Sequence, residues 1–213
     1  MKVIFASFLV SNLAEIKLVN IFGIAEVGAG TIFFPLLYVL NDVITEIYGF
    51  SASRKTIWQA LFFNFAFTIP VLAIVLVGFR GLQNENIIET VFSLSPRIVI
   101  ASLTSYFLGE LINASIIAAT KIYFKGRIFA IRALFSTFIA SFLESIMFAY
   151  IAFYGRMPHE ELVKMIFMLT FLKILYEFLV MPFTIKLVAF LKKVEQIDVY
   201  EKPSLATILP KWD

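Results

Sequence analysis

Six stretches of mainly apolar residues, each 20 residues or longer, limit what this chain can fold into. They run roughly over 3–24, 30–49, 56–79, 97–119, 128–154 and 162–191. An α-helix rises about 1.5 Å per residue, so ~20 apolar residues cross the hydrocarbon core of a bilayer. Composition agrees: 61% of the 213 residues are hydrophobic, only 15% are charged, and 25 are Phe. Soluble domains are ~45–50% apolar and ~25% charged, and a water-soluble fold of this size could not cover so much apolar surface. The expected solvent is lipid, and the expected fold is an all-α membrane bundle of six transmembrane helices.

The breaks between stretches are turn-like or charged: Gly28-Ala29-Gly30, Gly49 to Lys55, Arg80 to Pro96, Lys121 to Arg127, and Gly155 to Glu161. Loops this short leave no room for a soluble domain. The reading is one transmembrane domain over 1–191 with a short polar tail over 192–213. Met1-Lys2 followed by Val3 to Val10 imitates a signal peptide, but the apolar run continues past Asn12 and Glu15 without a small-residue cleavage site, so it is expected to remain as the first helix.

Basic loop residues orient such proteins, with the excess in the cytoplasm. Lys2, Arg54, Lys55, Lys121, Lys125, Arg127, Lys192, Lys193, Lys202 and Lys211 would lie on one face, against Arg80, Arg97, Arg156 and Lys164 on the other. Ten against four puts both termini in the cytoplasm, and an even helix count, which keeps them on one side, agrees. The net charge of +3 therefore encodes orientation, and nucleic acid is excluded as a partner because the basic residues form no soluble phosphate-binding face. The absence of Cys and the single His159, in a loop beside Glu160 and Glu161, argue against a metal centre. No glycine-rich phosphate loop, His-Glu-x-x-His or usable Ser/His/Asp set is present, so neither an enzyme nor an internal ATPase is expected, and no cofactor is implied.

Nine of the ionisable residues inside the expected spans are singled out: Glu15, Lys17, Asp42, Glu46, Glu110, Arg132, Glu144, Lys173 and Glu177. Each costs ~2.5–3.5 kcal/mol at a helix centre, and nine facing lipid would exceed the ~5–15 kcal/mol of a typical net stability. Most must face one another or a polar cavity. Their spacing agrees. Asp42 and Glu46 are four apart; Tyr106, Glu110 and Asn113 repeat at i, i+4, i+7; Arg132, Ser136, Ala140 and Glu144 repeat every four; Lys173 and Glu177 do likewise. Four helices thus offer polar faces at comparable depth, as a midplane carrier site needs. Six of the nine are acids and three are bases, so some carboxylates await a proton, a coupling ion or substrate donors. Structural readings compete: Glu46, Lys17 and Arg132 as snorkelling groups near helix ends, Lys173 and Glu177 as an intrahelical pair, and the remaining acids as helix-to-helix bonds. Pro35, Pro70 and Pro182 read as kinks, and Tyr106 and the Phe stripes as packing or lipid-facing.

Ser11-Asn12-Leu13-Ala14 with Lys17, Phe34-Pro35, and Asn41-Asp42-Val43-Ile44-Thr45-Glu46-Ile47-Tyr48-Gly49 resemble the queuosine precursor transporter family, formerly grouped as vitamin uptake transporters. The likeness continues through Pro96-Arg97-Ile98, Ala101-Ser102, Tyr106, Gly109-Glu110, Asn113, Lys121, Arg132 with Ser136-Thr137, Lys173, Tyr176-Glu177, Pro182, Glu195 and Asp198. It spans nearly the whole chain in order, and Asp-x-x-x-Glu-x-Tyr-Gly and Arg-x-x-x-Ser-Thr are its specific elements.

The resemblance implies uptake of 7-deazaguanine intermediates, chiefly 7-cyano-7-deazaguanine, across the bacterial inner membrane. It also implies a six-helix bundle like the substrate-binding subunits of energy-coupling-factor vitamin importers. Ser141 stands where the family has Gln or Glu, and Glu144 where it has Asp, which leaves open whether the cyano base, the aminomethyl base or queuine is carried. A guanine-like edge presents two parallel donors that one carboxylate accepts, with Glu110 or Glu144 for that role. Asn113, Ser136 or Lys173 would address the carbonyl, Tyr106 or a nearby Phe would stack, and Arg132 completes the candidate substrate-binding set. Asp42, Glu46 and Glu177 are the candidates for coupling or gating. A stand-alone secondary carrier and a substrate-capturing subunit served by a separate ATPase both fit this pattern, and a homo-oligomer stays open.

Overall fold

The computed structural model describes residues 18–21, 25–28, 34–77 and 96–204. Two short strands, β1 (Leu18–Ile21) and β2 (Ala25–Gly28), pair antiparallel with Val19 opposite Val27 and Asn20 opposite Glu26. Every other described element is helical: α1 (Phe34–Tyr48), α2 (Phe50–Val77), α3 (Pro96–Tyr123), α4 (Phe129–Phe153) and α5 (His159–Glu195). The hairpin corrects the expectation that the first helix continues to residue 24. Val19, Ile21 and Val27 are β-branched and fit a strand. The rest of that expected span, with Glu15 and Lys17, lies outside the described residues, as does Arg80.

The other five expected spans coincide with α1 to α5. Three are long and apolar enough to cross a membrane, over Arg97–Tyr123, Phe129–Phe153 and His159–Glu195, making this a multi-pass membrane protein. At 15 residues α1 is about 22 Å long, short of the ~30 Å core. The break expected from Gly49 to Lys55 narrows to Gly49 alone, whose φ of +85° only glycine adopts without strain. Arg54 and Lys55, good helix formers, lie in the opening turns of α2 instead. Both α2 and α5 run on through their internal prolines, Pro70 and Pro182.

Polarity is inverted relative to a soluble protein. Asp42, Glu46, Glu110, Asn113, Lys121, Arg132 and Glu177 are buried, while Phe62, Phe135, Phe167, Phe178 and Phe183 are exposed. Buried polar groups and exposed large apolar ones together are what a lipid solvent demands. α3 and α4 pack most extensively, then α4 and α5, and α1 touches α2, α3 and α5. Small residues make this closeness possible: Ala101, Ala114, Ala118, Ala133, Ala140 and Ala149 are buried. Arg97 clamps one end of the bundle, donating from Nε to the Ile151 carbonyl at 2.5 Å and from Nη2 to that of Tyr154 at 2.8 Å. The basic residues Lys121, Arg132 and Lys192 gather at the opposite end.

Candidate functional site

One face of α1 carries Tyr38, Asn41, Asp42, Thr45 and Glu46, all buried, at helical spacing. It meets the stripe Tyr106, Glu110 and Asn113 of α3, also buried. Two bonds join the helices: the Asn41 amide donates to Glu110 Oε2, and Asn113 Nδ2 donates to Asp42 Oδ1 at 2.5 Å. Ser53 of α2 donates to Asn41 Oδ1 at 2.8 Å, which fixes the amide with its nitrogen toward Glu110. Asp42 likewise turns Asn113 so that its oxygen points away from the carboxylate. Glu110 Oε1 and Asn113 Oδ1 remain without hydrogen-bond partners although both residues are fully buried.

A second constellation adjoins the first. Lys173 Nζ of α5 lies 2.8 Å from Glu144 Oε2 of α4. The Tyr38 hydroxyl donates to that same oxygen and receives from Lys173 at 3.2 Å. Lys173 therefore pairs across to α4, which replaces the expected intrahelical pairing with Glu177. Gly109 is what lets Glu144 so close to α3: a Cβ there would stand 3.0 Å from both Glu144 Cβ and Oε2. Glu110 lies within Coulombic reach of Glu144, Lys173 and Glu177, and Asp42 within reach of Glu110 and Glu177. Acids from α1, α3, α4 and α5 thus converge on one buried region.

Arg132 and Glu46 stand apart from it. They form an ion pair of 2.9 Å with both side chains buried, and Lys192 binds the other Glu46 oxygen at 2.8 Å. Neither snorkels outward, because each is the other's partner inside the bundle. Lys192 and Lys121 in turn hold Asp198, at 2.8 and 2.6 Å. Burial alone would push the Asp198 carboxyl upward, but the bonds from Lys121 and Lys192 outweigh it and hold it below the usual carboxylate value. Arg132, expected among the substrate contacts, belongs to this structural network. Ser136 is buried and gives its hydroxyl to the Ala133 carbonyl of its own helix at 2.8 Å. His159 is exposed.

Charge spacing alone does not single out Tyr38, Asn41 or Ser53. Tyr38 and Asn41 sit four and one residues before Asp42, so the helical face of Asp42 already contains them; nothing in the sequence marks Ser53. Chemically, the assembled region offers uncommitted acceptors on α3 beside a lysine ammonium. Among the described residues no cluster of His, Cys, Asp and Glu has the arrangement of a metal site.

Helices lined inside by charge and outside by Phe, with a polar centre shared by four of them, define a polytopic membrane protein. The profile of the family described as "Putative vitamin uptake transporter" matches residues 28–187, and the chain belongs to that family. A protein of Bacillus subtilis (strain 168) described as "Probable queuosine precursor transporter" is 23% identical over 152 residues, covering 70% of this chain and 66% of the relative, a little under two thirds of its length. No solved structure matches the chain.

Proposed function

We propose that this chain imports a 7-deazaguanine precursor of queuosine, 7-cyano-7-deazaguanine foremost, across the bacterial inner membrane as a stand-alone secondary carrier. The observation that carries the reading is the pair of buried, unpartnered acceptors Glu110 Oε1 and Asn113 Oδ1, one turn apart on α3. A buried polar atom left unmade costs ~1–3 kcal/mol, so such a pair is maintained for a ligand that supplies two donors. The guanine-like edge has them side by side: a ring N–H and an exocyclic amine. The expectation of one bidentate carboxylate is modified accordingly, since Asn41 already occupies Glu110 Oε2 and Lys173 with Tyr38 occupy Glu144 Oε2. Lys173, with a proton to spare, addresses the substrate carbonyl, and Tyr106, buried a turn before Glu110, flanks the ring. Family membership and the relative's description support the same substrate class. The surplus of basic residues at the Lys121 and Lys192 end supports a cytoplasmic orientation for that end.

Cells lacking any other route should accumulate labelled 7-cyano-7-deazaguanine when they express this chain. Glu110→Gln should lower uptake at least about tenfold, the loss of a charge-assisted hydrogen bond of ~1.5–3 kcal/mol. Normal uptake by that variant, or none by the wild type, would contradict the assignment. Uptake into liposomes without ATP separates a stand-alone carrier from a subunit that depends on an ATPase.

A further inference from the structure

Among the described buried acids, Glu177 alone has neither carboxylate oxygen hydrogen-bonded. It is only 3% exposed, one turn beyond Lys173 on α5. Thr137 of α4 lies beside it, short of hydrogen-bond geometry, and its own hydroxyl is also buried without a partner. Asp42 of α1 and Glu110 of α3 lie within Coulombic reach of it. Among the described residues no cation forms an ion pair with it: Lys173, one turn away, pairs with Glu144, Arg132 and Lys192 pair with Glu46, and Lys121 pairs with Asp198. Removing an ionised carboxylate from water without a partner costs several kcal/mol, more than the site recovers from a lone threonine hydroxyl. The group is neutral when it carries a proton.

We infer that Glu177, with Thr137, is the binding site of the coupling proton, separate from the acceptors that hold the substrate. This rests on the secondary-carrier reading above. It also divides the three coupling candidates: Glu46 is fully ion-paired and Asp42 is held by Asn113, so neither is free to cycle. A proton entering from the outer side neutralises Glu177 and lets it sit against Asp42 and Glu110. Its departure to the cytoplasm restores a negative charge facing two further acids, which disfavours that packing and opens the site. The proton taken from one side is the proton released to the other, with no other chemical change.

Two transport modes of the protein in liposomes test this: exchange of labelled 7-cyano-7-deazaguanine at equal pH, and accumulation driven by an imposed pH gradient. Wild type should do both. Glu177→Gln, permanently neutral, should keep exchange and lose driven accumulation by at least about tenfold, within the usual range of coupling energies. Glu177→Asp, which keeps a carboxylate, should restore it. The inference is overturned if Glu177→Gln accumulates substrate like wild type, if it loses exchange while still eluting as a folded monodisperse species, or if wild-type accumulation follows a sodium gradient instead. A wild type that exchanges no base at all would instead sink the transport reading itself.

Discussion

At Asn41 two hydrogen bonds run in series, from Ser53 into its oxygen and from its nitrogen into Glu110, and the result is one carboxylate oxygen held and one left open. Gly109, the residue before Glu110, matters for its missing side chain, because it admits Glu144 where any Cβ would crowd it at 3.0 Å. Gly109→Ala should therefore push Glu144 off Lys173 and Tyr38 by a few tenths of an ångström and lower substrate affinity, with expression and melting temperature close to wild type. Equilibrium binding of the labelled base to purified protein checks it; unchanged affinity would mean that Glu144 does not shape the site. Spacing in the sequence makes Asp42, Glu110, Asn113, Glu144 and Lys173 legible, because a charge in an apolar helix has few explanations. Their partners are not legible. A period of four tells which face a residue occupies and nothing of what lies across from it, so spacing offers Glu177 to Lys173 although Glu144 is its partner. Tyr38 and Asn41 escape because Tyr and Asn in a helix pass for packing until an acid is seen against them.

Among the elements, the polar segment after α5 is docked: residues 196–204 lie across the basic end of the bundle. The Val199 amide bonds the Ile47 carbonyl at 2.9 Å, Asp198 joins Lys121 and Lys192, and Glu201 accepts from the Ser51 amide at 2.7 Å in the first turn of α2. A carboxylate at that position satisfies a helix N-terminus. Gly49 leaves the room: a Cβ there would stand 2.9 Å from Val199. Because the folded Asp198 carboxyl lies below its ordinary value, the docked segment keeps this contribution above the ordinary aspartate range and loses it as pH falls through the folded value. Asp198→Asn should release the segment at neutral pH, read as faster hydrogen exchange at the Val199 amide; wild-type exchange at pH 7 in this variant would contradict the role. Deeper in the same network, Arg132→Met leaves Glu46 with Lys192 alone. Breaking a buried pair in this way should cost about 3 kcal/mol, and a melting temperature in detergent equal to wild type would show the pair to be dispensable. The basic residues at this end are legible as an orientation signal, whereas their use as a clamp on the chain's own tail depends on three-dimensional proximity. The β1–β2 hairpin has only the β-branched Val19, Ile21 and Val27 in its strands to announce it, against an apolar run that suits a helix equally well.

For the whole molecule, hydrophobic run length is enough to read a helical, polytopic membrane protein, since no water-soluble arrangement hides that much apolar surface. The inverted distribution of polarity follows from the same physics: lipid accepts Phe outside and forces Asp, Glu and Lys inward until they meet. What they form on meeting is the central claim, that two uncommitted acceptors on α3, backed by α1, α4 and α5, read a donor–donor edge. The most direct measurement is equilibrium binding of two labelled bases to the purified protein, 7-cyano-7-deazaguanine and its analogue lacking only the exocyclic amine. A site built to receive both donors should bind the first about a hundredfold more tightly or better, and Glu110→Gln should erase most of that preference. Equal affinity for the two bases in the wild type would contradict the account.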